Sequence, residues 1–105
     1  MSLKVLVIDV GGTHVKILAS GKAERRQFPS GNGLSAEDMV RQVKKLAGDW
    51  KYDVVSIGYP GPVLHGRVAA EPHNLGKGWT AFDFAAAFDR PVKLVNDAAM
   101  QALGG

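Results

Sequence analysis

The run Asp9-Val10-Gly11-Gly12-Thr13, followed by His14 and Lys16, combines groups suited to handling phosphate. Two glycines let the backbone approach an anion closely and turn N–H groups toward it. The Thr13 hydroxyl can donate to a phosphate oxygen. Asp9 cannot lie against phosphate directly, because like charges repel, so a Mg²⁺ or its water shell is expected between them. The same residues also suit a plain hairpin with a double-glycine turn. Gly-Lys-Ser/Thr is missing, so this is not a P-loop, and the strand expected after the turn argues against a dinucleotide fingerprint.

A second group is Asn96-Asp97, between an apolar run and an alanine-rich start of a helix. Ligands of open α/β sheets gather at the carboxyl ends of parallel strands. A carboxylate there can take the proton of a hydroxyl that attacks a phosphoryl group, and Asn96 can bond neighbouring hydroxyls. Either residue also serves as a helix N-cap. A third group is Gly58-Tyr59-Pro60-Gly61-Pro62 together with Glu71 to Trp79. Its prolines and glycines can shape a pocket wall in which Asn74 is the best hydroxyl ligand, or they can be loop punctuation. Trp79 reads as a core or helix-start anchor. His65 reads as an exposed turn residue, and His73 carries no assigned role.

These groups need a scaffold, and the hydrophobic pattern predicts one. Leu3 to Val10 is rich in β-branched residues and reads as a buried strand. His14 to Ser20 and Lys22 to Phe28 read as two further strands, closely connected and therefore antiparallel. On the second, His14 and Lys16 leave the same sheet face. The third carries Lys22, Glu24, Arg25 and Arg26, a charge density that suits a sheet edge. Ser35, with Asp38 three residues on, opens a helix near to a capping box. Its apolar face comprises Met39, Val40, Val43, Leu46, Ala47 and Trp50. Asp53 to Tyr59 is a buried strand, and Val63 to Ala70 a small hairpin turning at His65-Gly66. Trp79 to Phe88 is a short helix burying Phe82, Phe84, Ala85 and Phe88. Pro91 to Val95 is the last strand, and Ala98 to Leu103 begins a helix. The fold class is therefore α/β, a mixed five-stranded sheet with helices on both faces and a small extra hairpin.

Composition narrows the function classes. The 105 residues fit one small domain. Apolar residues make up 46% and charged residues 22%, an ordinary globular balance. Thirteen basic against ten acidic residues give a net charge of +3, too small and scattered for a nucleic-acid surface. The absence of cysteine excludes a disulfide scaffold and a Cys-ligated zinc site. No stretch reaches bilayer-spanning length, and the apolar N-terminal run is short for a signal peptide. A cytoplasmic protein without membrane or nucleic-acid partners is expected.

Taken together, Ile8-Asp9-Val10-Gly11-Gly12-Thr13 with Lys16, Tyr59-Pro60-Gly61-Pro62-Val63, Asn74-Leu75 with Trp79, and Val95-Asn96-Asp97-Ala98 resemble the ROK sugar kinases of the actin-like ATPase superfamily. Val63-Leu64-His65-Gly66-Arg67-Val68 and Asn74-Leu75-Gly76-Lys77-Gly78-Trp79 look most like the family's bacterial polyphosphate glucokinases. The resemblance covers essentially the whole chain, in the family's order. It implies a ribonuclease-H-like half-domain and transfer of a phosphoryl group from polyphosphate or ATP to the 6-hydroxyl of glucose or a related hexose. Asp97 would be the catalytic base. Gly61, Asn74, Asn96 and Asp97 would bind the sugar. Asp9, Gly11, Gly12, Thr13 and Lys16 would face the transferred phosphate, with Asp9 reaching Mg²⁺ through water.

Family members continue into a second, larger domain that completes the cleft, and the 105 residues contain none of it. The expectation is that residues 1–105 form the N-terminal domain of a two-domain sugar kinase, with little or no activity alone. The family's repressors carry a helix-turn-helix ahead of this fold, for which a first strand starting at Leu3 leaves no room. A further alternative is a non-catalytic, sugar-binding or self-associating fragment that pairs through the last helix, with another copy as a homodimer or with a separate second half.

Overall fold

The structure, a computed structural model, describes residues 3–11, 13–21, 24–30, 33–48, 50–61, 63–64, 67–69, 78–80 and 82–96. The chain opens with β1 (Val5–Val10), β2 (His14–Ala19) and β3 (Arg26–Pro29). Helix α1 (Ala36–Ala47) and β4 (Val54–Tyr59) follow. A small ladder of β5 (Val63–Leu64) and β6 (Arg67–Val68) precedes α2 (Phe84–Phe88) and β7 (Val92–Asn96). The main sheet runs β3-β2-β1-β4-β7. Its first three strands are an antiparallel meander, whereas β1, β4 and β7 are parallel. This is the mixed five-stranded α/β sheet that the sequence predicts. Leu64 pairs with Arg67, so the extra hairpin also forms as expected.

Strand alternation gives the sheet two unlike faces. Leu6, Ile8 and Val10 of β1, Val15, Ile17 and Ala19 of β2, and Val55, Ile57 and Tyr59 of β4 are buried together. Against them pack Met39, Val40, Val43 and Ala47 of α1 and Phe84 and Phe88 of α2. Both described helices lie on this face: Lys44 of α1 reaches the Ala87 carbonyl and sits 6.0 Å from the Phe88 ring. The helix expected over 98–103 lies outside the described residues. The opposite face presents Val5, Val7 and Asp9 beside His14, Lys16 and Leu18, half-buried or exposed.

Local chemistry sets the element ends. Ser35 caps α1, its Oγ accepting from the Asp38 N–H at 3.1 Å. Gly48 ends the helix at φ 57°, in a region where a side chain would be strained. Trp50 therefore leaves the helical face on which its spacing put it. It is still buried, held by its own N–H to the Ala47 carbonyl and by the Arg26 guanidinium 4.3 Å above its ring. The second helix is shorter than the predicted span from Trp79, because Asp83 caps it through the Ala86 N–H. Ala85 is exposed and Phe82 only half-buried, so one turn of helix buries fewer residues than the pattern suggested. β3 starts at Arg26, later than the expected Lys22, and forms the sheet edge that its charges predicted. No helix among the described residues is long and apolar enough to cross a membrane.

Candidate functional site

The carboxyl ends of the parallel strands β1, β4 and β7 lie along one side of the sheet, which gathers the Gly11 turn, the Gly61 loop and Asn96 there. Asp9 is the penultimate residue of β1 and is half-buried on the face away from the helices. Its neighbours across the ladder are Lys16 on β2 and Gly58 on β4. Gly58 in turn pairs with Val95 on β7. Asp9 therefore has a lysine on one side and no side chain on the other. Despite their register, Asp9 and Lys16 form no ion pair, and Lys16 is exposed. Its ammonium has no partner among the described residues and can meet an anion above the turn.

The turn itself is tightly built. The Gly11 N–H donates to the His14 carbonyl at 2.9 Å. A Cβ on Gly11 would stand 2.9 Å from that same oxygen, so the close approach requires glycine. Thr13 and His14 are exposed, and His14 Nδ1 lies 3.3 Å from Thr13 Oγ1. Ser30, just beyond β3, fastens the turn from behind. Its hydroxyl donates to the Gly11 carbonyl at 2.8 Å and its N–H to the Thr13 carbonyl at 2.9 Å. Gly12 lies outside the described residues.

Beyond β4, the loop at Gly61 rests on an aromatic column. Tyr59 is fully buried, and its ring would stand 2.8 Å from a Cβ on Gly61. Tyr59 packs on Trp79 at 5.5 Å, and Trp79 on Phe84 at 6.1 Å. The Trp79 indole N–H donates to the Leu34 carbonyl at 3.2 Å, which makes this residue the anchor expected of it. An aromatic of this size buries roughly 150–250 Å², or about 4–6 kcal/mol of transfer free energy, so the column is a firm footing for the loop above it.

Asn96 ends β7 opposite Tyr59. Its side-chain N–H donates to the Gly61 carbonyl at 2.6 Å. One of its donors thus holds the loop after β4 against the end of β7. Asp97 and Asn74 lie outside the described residues. β1 and β7 are two strands apart, which at the usual spacing separates Asp9 from the end of β7 by about 10 Å. That separation is too wide for direct contact, and β4 ends between them at Tyr59.

Among the described residues, no group of three or more His, Cys, Asp or Glu side chains converges on a metal position. The donor set at Asp9 is a single carboxylate beside a glycine turn. It fits a magnesium ion that keeps its waters and shares its ligands with a phosphate, and it does not fit a protein cage. An open cleft lined by Arg67, Phe82, Asp83 and Leu94 lies beside β7, on the helix-bearing face and away from Asp9. Sequence reasoning missed one supporting residue, Ser30, and named Tyr59 only as part of a loop, without its buried footing under Gly61. Ser30 had a usable signal: if β3 pairs with β2 up to His14, the residue after β3 must return beside the turn.

No family model and no curated protein matches the chain in sequence. Solved structures do match in fold. A ROK family glucokinase from Streptomyces griseus, in complex with glucose and AMPPNP, aligns over 94% of this chain and 35% of its own, with TM-score 0.72 and 19% identity. A ROK hexokinase from Thermus thermophilus aligns over 91% and 36%, with TM-score 0.67 and 24% identity. A ROK family protein from Streptococcus pneumoniae TIGR4, in complex with sucrose, aligns over 91% and 35%, with TM-score 0.69 and 22% identity. The chain therefore has the fold of one part of these proteins and spans little more than a third of their length.

Proposed function

We propose that residues 1–105 are the N-terminal domain of a two-domain sugar kinase of the ROK type. It would transfer a phosphoryl group to the 6-hydroxyl of glucose or a related hexose. The observation that carries this reading is the meeting of a glycine turn, Asp9 and the Asn96-tied Gly61 loop at the carboxyl ends of the parallel strands, within a fold shared with ROK sugar kinases.

In this reading Gly11, Gly12 and Thr13 cradle the transferred phosphate, and Lys16 offsets its charge. Asp9 would hold Mg²⁺ through water, and the ion would neutralise charge developing on the phosphoryl oxygens. Asp97 takes the proton of the sugar hydroxyl, while Asn74, Asn96 and the Gly61 loop orient the ring. The AMPPNP solved with the Streptomyces griseus enzyme supports ATP as donor. The hairpin and Trp79 segments resembling polyphosphate glucokinases support polyphosphate. In-line transfer needs the reacting atoms held roughly 3–3.5 Å apart in a closed site. One domain alone supplies a single wall, so turnover by the 105-residue chain should be negligible.

The test is a coupled assay for glucose 6-phosphate, using a chain that includes the second domain. ATP and polyphosphate are offered separately. Asp97→Asn should lower kcat by at least roughly a hundredfold while the far-UV spectrum stays unchanged. Undiminished turnover in that variant would remove Asp97 as the base. Failure with both donors and several hexoses would sink the kinase reading.

A further inference from the structure

We infer that Ser30 is a positioning residue for phosphate: it holds two carbonyl oxygens of the glycine turn to its own side, out of the path of an incoming anion. The inference rests on the reading of that turn as a phosphate cradle. Two of the turn's carbonyls are bound by this one residue, Gly11 through the Ser30 hydroxyl at 2.8 Å and Thr13 through the Ser30 N–H at 2.9 Å. A trans peptide unit is planar, and its N–H points opposite to its C=O. Drawing the Thr13 carbonyl toward Ser30 therefore turns the His14 N–H the other way, and drawing the Gly11 carbonyl there keeps that oxygen off the surface that Ser30 does not occupy.

The need for such a clamp follows from the sequence. A double-glycine turn has unusually many accessible conformations. If the peptide after Gly11 rotated, its carbonyl oxygen would face the incoming phosphate and repel it. A cradle works when its donors are fixed before the anion arrives. Neither Gly11 nor Thr13 can supply that rigidity alone, and the Gly11 N–H is already committed to His14. Ser30 is well placed because Pro29 pairs with His14, so the chain leaving β3 must pass the turn. The hydroxyl is specific to this position's side chain, whereas the N–H contact would be made by any residue except proline. The Ser30 side chain therefore chiefly governs the Gly11 peptide.

The experiment follows the amides of Gly11, Thr13 and His14 by NMR while sodium tripolyphosphate is added to the 105-residue chain. Saturable shifts confined to the turn are expected. Ser30→Ala should weaken binding roughly tenfold, the scale of one lost hydrogen bond. Ser30→Thr, which keeps the hydroxyl, should bind nearly as wild type, and its isostere Ser30→Val should behave like Ser30→Ala. Equal affinity in all four proteins would overturn the inference, even if the alanine variant melted earlier. Loss of the folded spectrum in both hydroxyl-free variants would also overturn it, by making Ser30 a purely structural residue. A wild-type turn indifferent to tripolyphosphate would overturn the cradle reading itself, and the role of Ser30 with it.

Discussion

Asn96 donates its side-chain amide to the carbonyl of Gly61 at 2.6 Å, joining the end of β7 to the loop that leaves β4. The bond links residues far apart in sequence at the edge where the sugar is expected to bind. Asn96→Asp exchanges this donor for an acceptor that faces another acceptor. We predict a loss of about 1–3 kcal/mol, and a smaller loss of about 1 kcal/mol for Asn96→Ala. Urea denaturation followed by tryptophan fluorescence would measure both. An aspartate variant as stable as wild type would remove the bond as a structural tie.

Gly61 is held in place by what lies beneath it. A methyl group there would meet Cε2 of the buried Tyr59 ring at 2.8 Å, and that ring is packed against Trp79. Gly61→Ala should cost about 1–3 kcal/mol through overpacking. Combining it with Tyr59→Leu should cost less than the two single changes summed, by about 0.5–3 kcal/mol, because the smaller side chain relieves the clash. Simple additivity in a double-mutant cycle would place the strain elsewhere.

The glycines at 11 and 33 offer a contrast within one chain. A Cβ at Gly11 would meet backbone, the His14 carbonyl oxygen at 2.9 Å, which cannot swing aside without breaking the hairpin. At Gly33 a Cβ would meet nothing within 4 Å. Gly11→Ala should destabilise by more than about 1 kcal/mol, and Gly33→Ala should be neutral or stabilising by about 0.4–1 kcal/mol. Thermal melts of the two variants side by side would decide the matter, and a reversed order would contradict the geometry.

Arg26 joins three elements. From β3 its guanidinium donates to the Leu46 carbonyl at the end of α1 at 2.8 Å and lies 4.3 Å over the Trp50 ring. Arg26→Lys keeps the charge but loses the planar stack and the fork of donors. We expect the lysine variant to recover less than half of the roughly 1–2 kcal/mol lost in Arg26→Ala. Full recovery would show that charge alone is at work.

The order of elements was legible because it depends on local pattern: β-branched runs, a serine cap at 35, and glycine turns. The helix ends were less so. Spacing alone assigned Trp50 to the face of α1, but the positive φ of Gly48 breaks the helix first and tertiary packing then buries the indole by another route. Arg26 read as a solvated edge charge, yet α1 supplies it with carbonyl and aromatic partners that no local window contains. Asp9, Gly11, Thr13, Lys16, Gly61 and Asn96 lie at or near strand ends, as the strand pattern implied. Ser30 escaped notice, and Tyr59 was named only within its loop, because their work is to hold other residues, which only the assembled sheet reveals.

The sheet order has a kinetic consequence. The turn at Gly11 lies inside a meander of sequence neighbours, and closing it needs only a short loop. The Gly61 loop depends on β1 meeting β4, a pairing that includes the contact between Lys4 and Asp53, 49 positions apart. Closure entropy grows with loop length, so the two ends of the cleft should become ordered at different times. In pulsed hydrogen exchange during refolding, the amides of Asp9 and Val15, which face neighbours within the meander, should gain protection before those of Ile57 and Lys93, which join β4 to β7. The reverse order would mean that the parallel strands nucleate the fold. A nascent chain would on this account shape the turn at Gly11 well before the loop at Gly61.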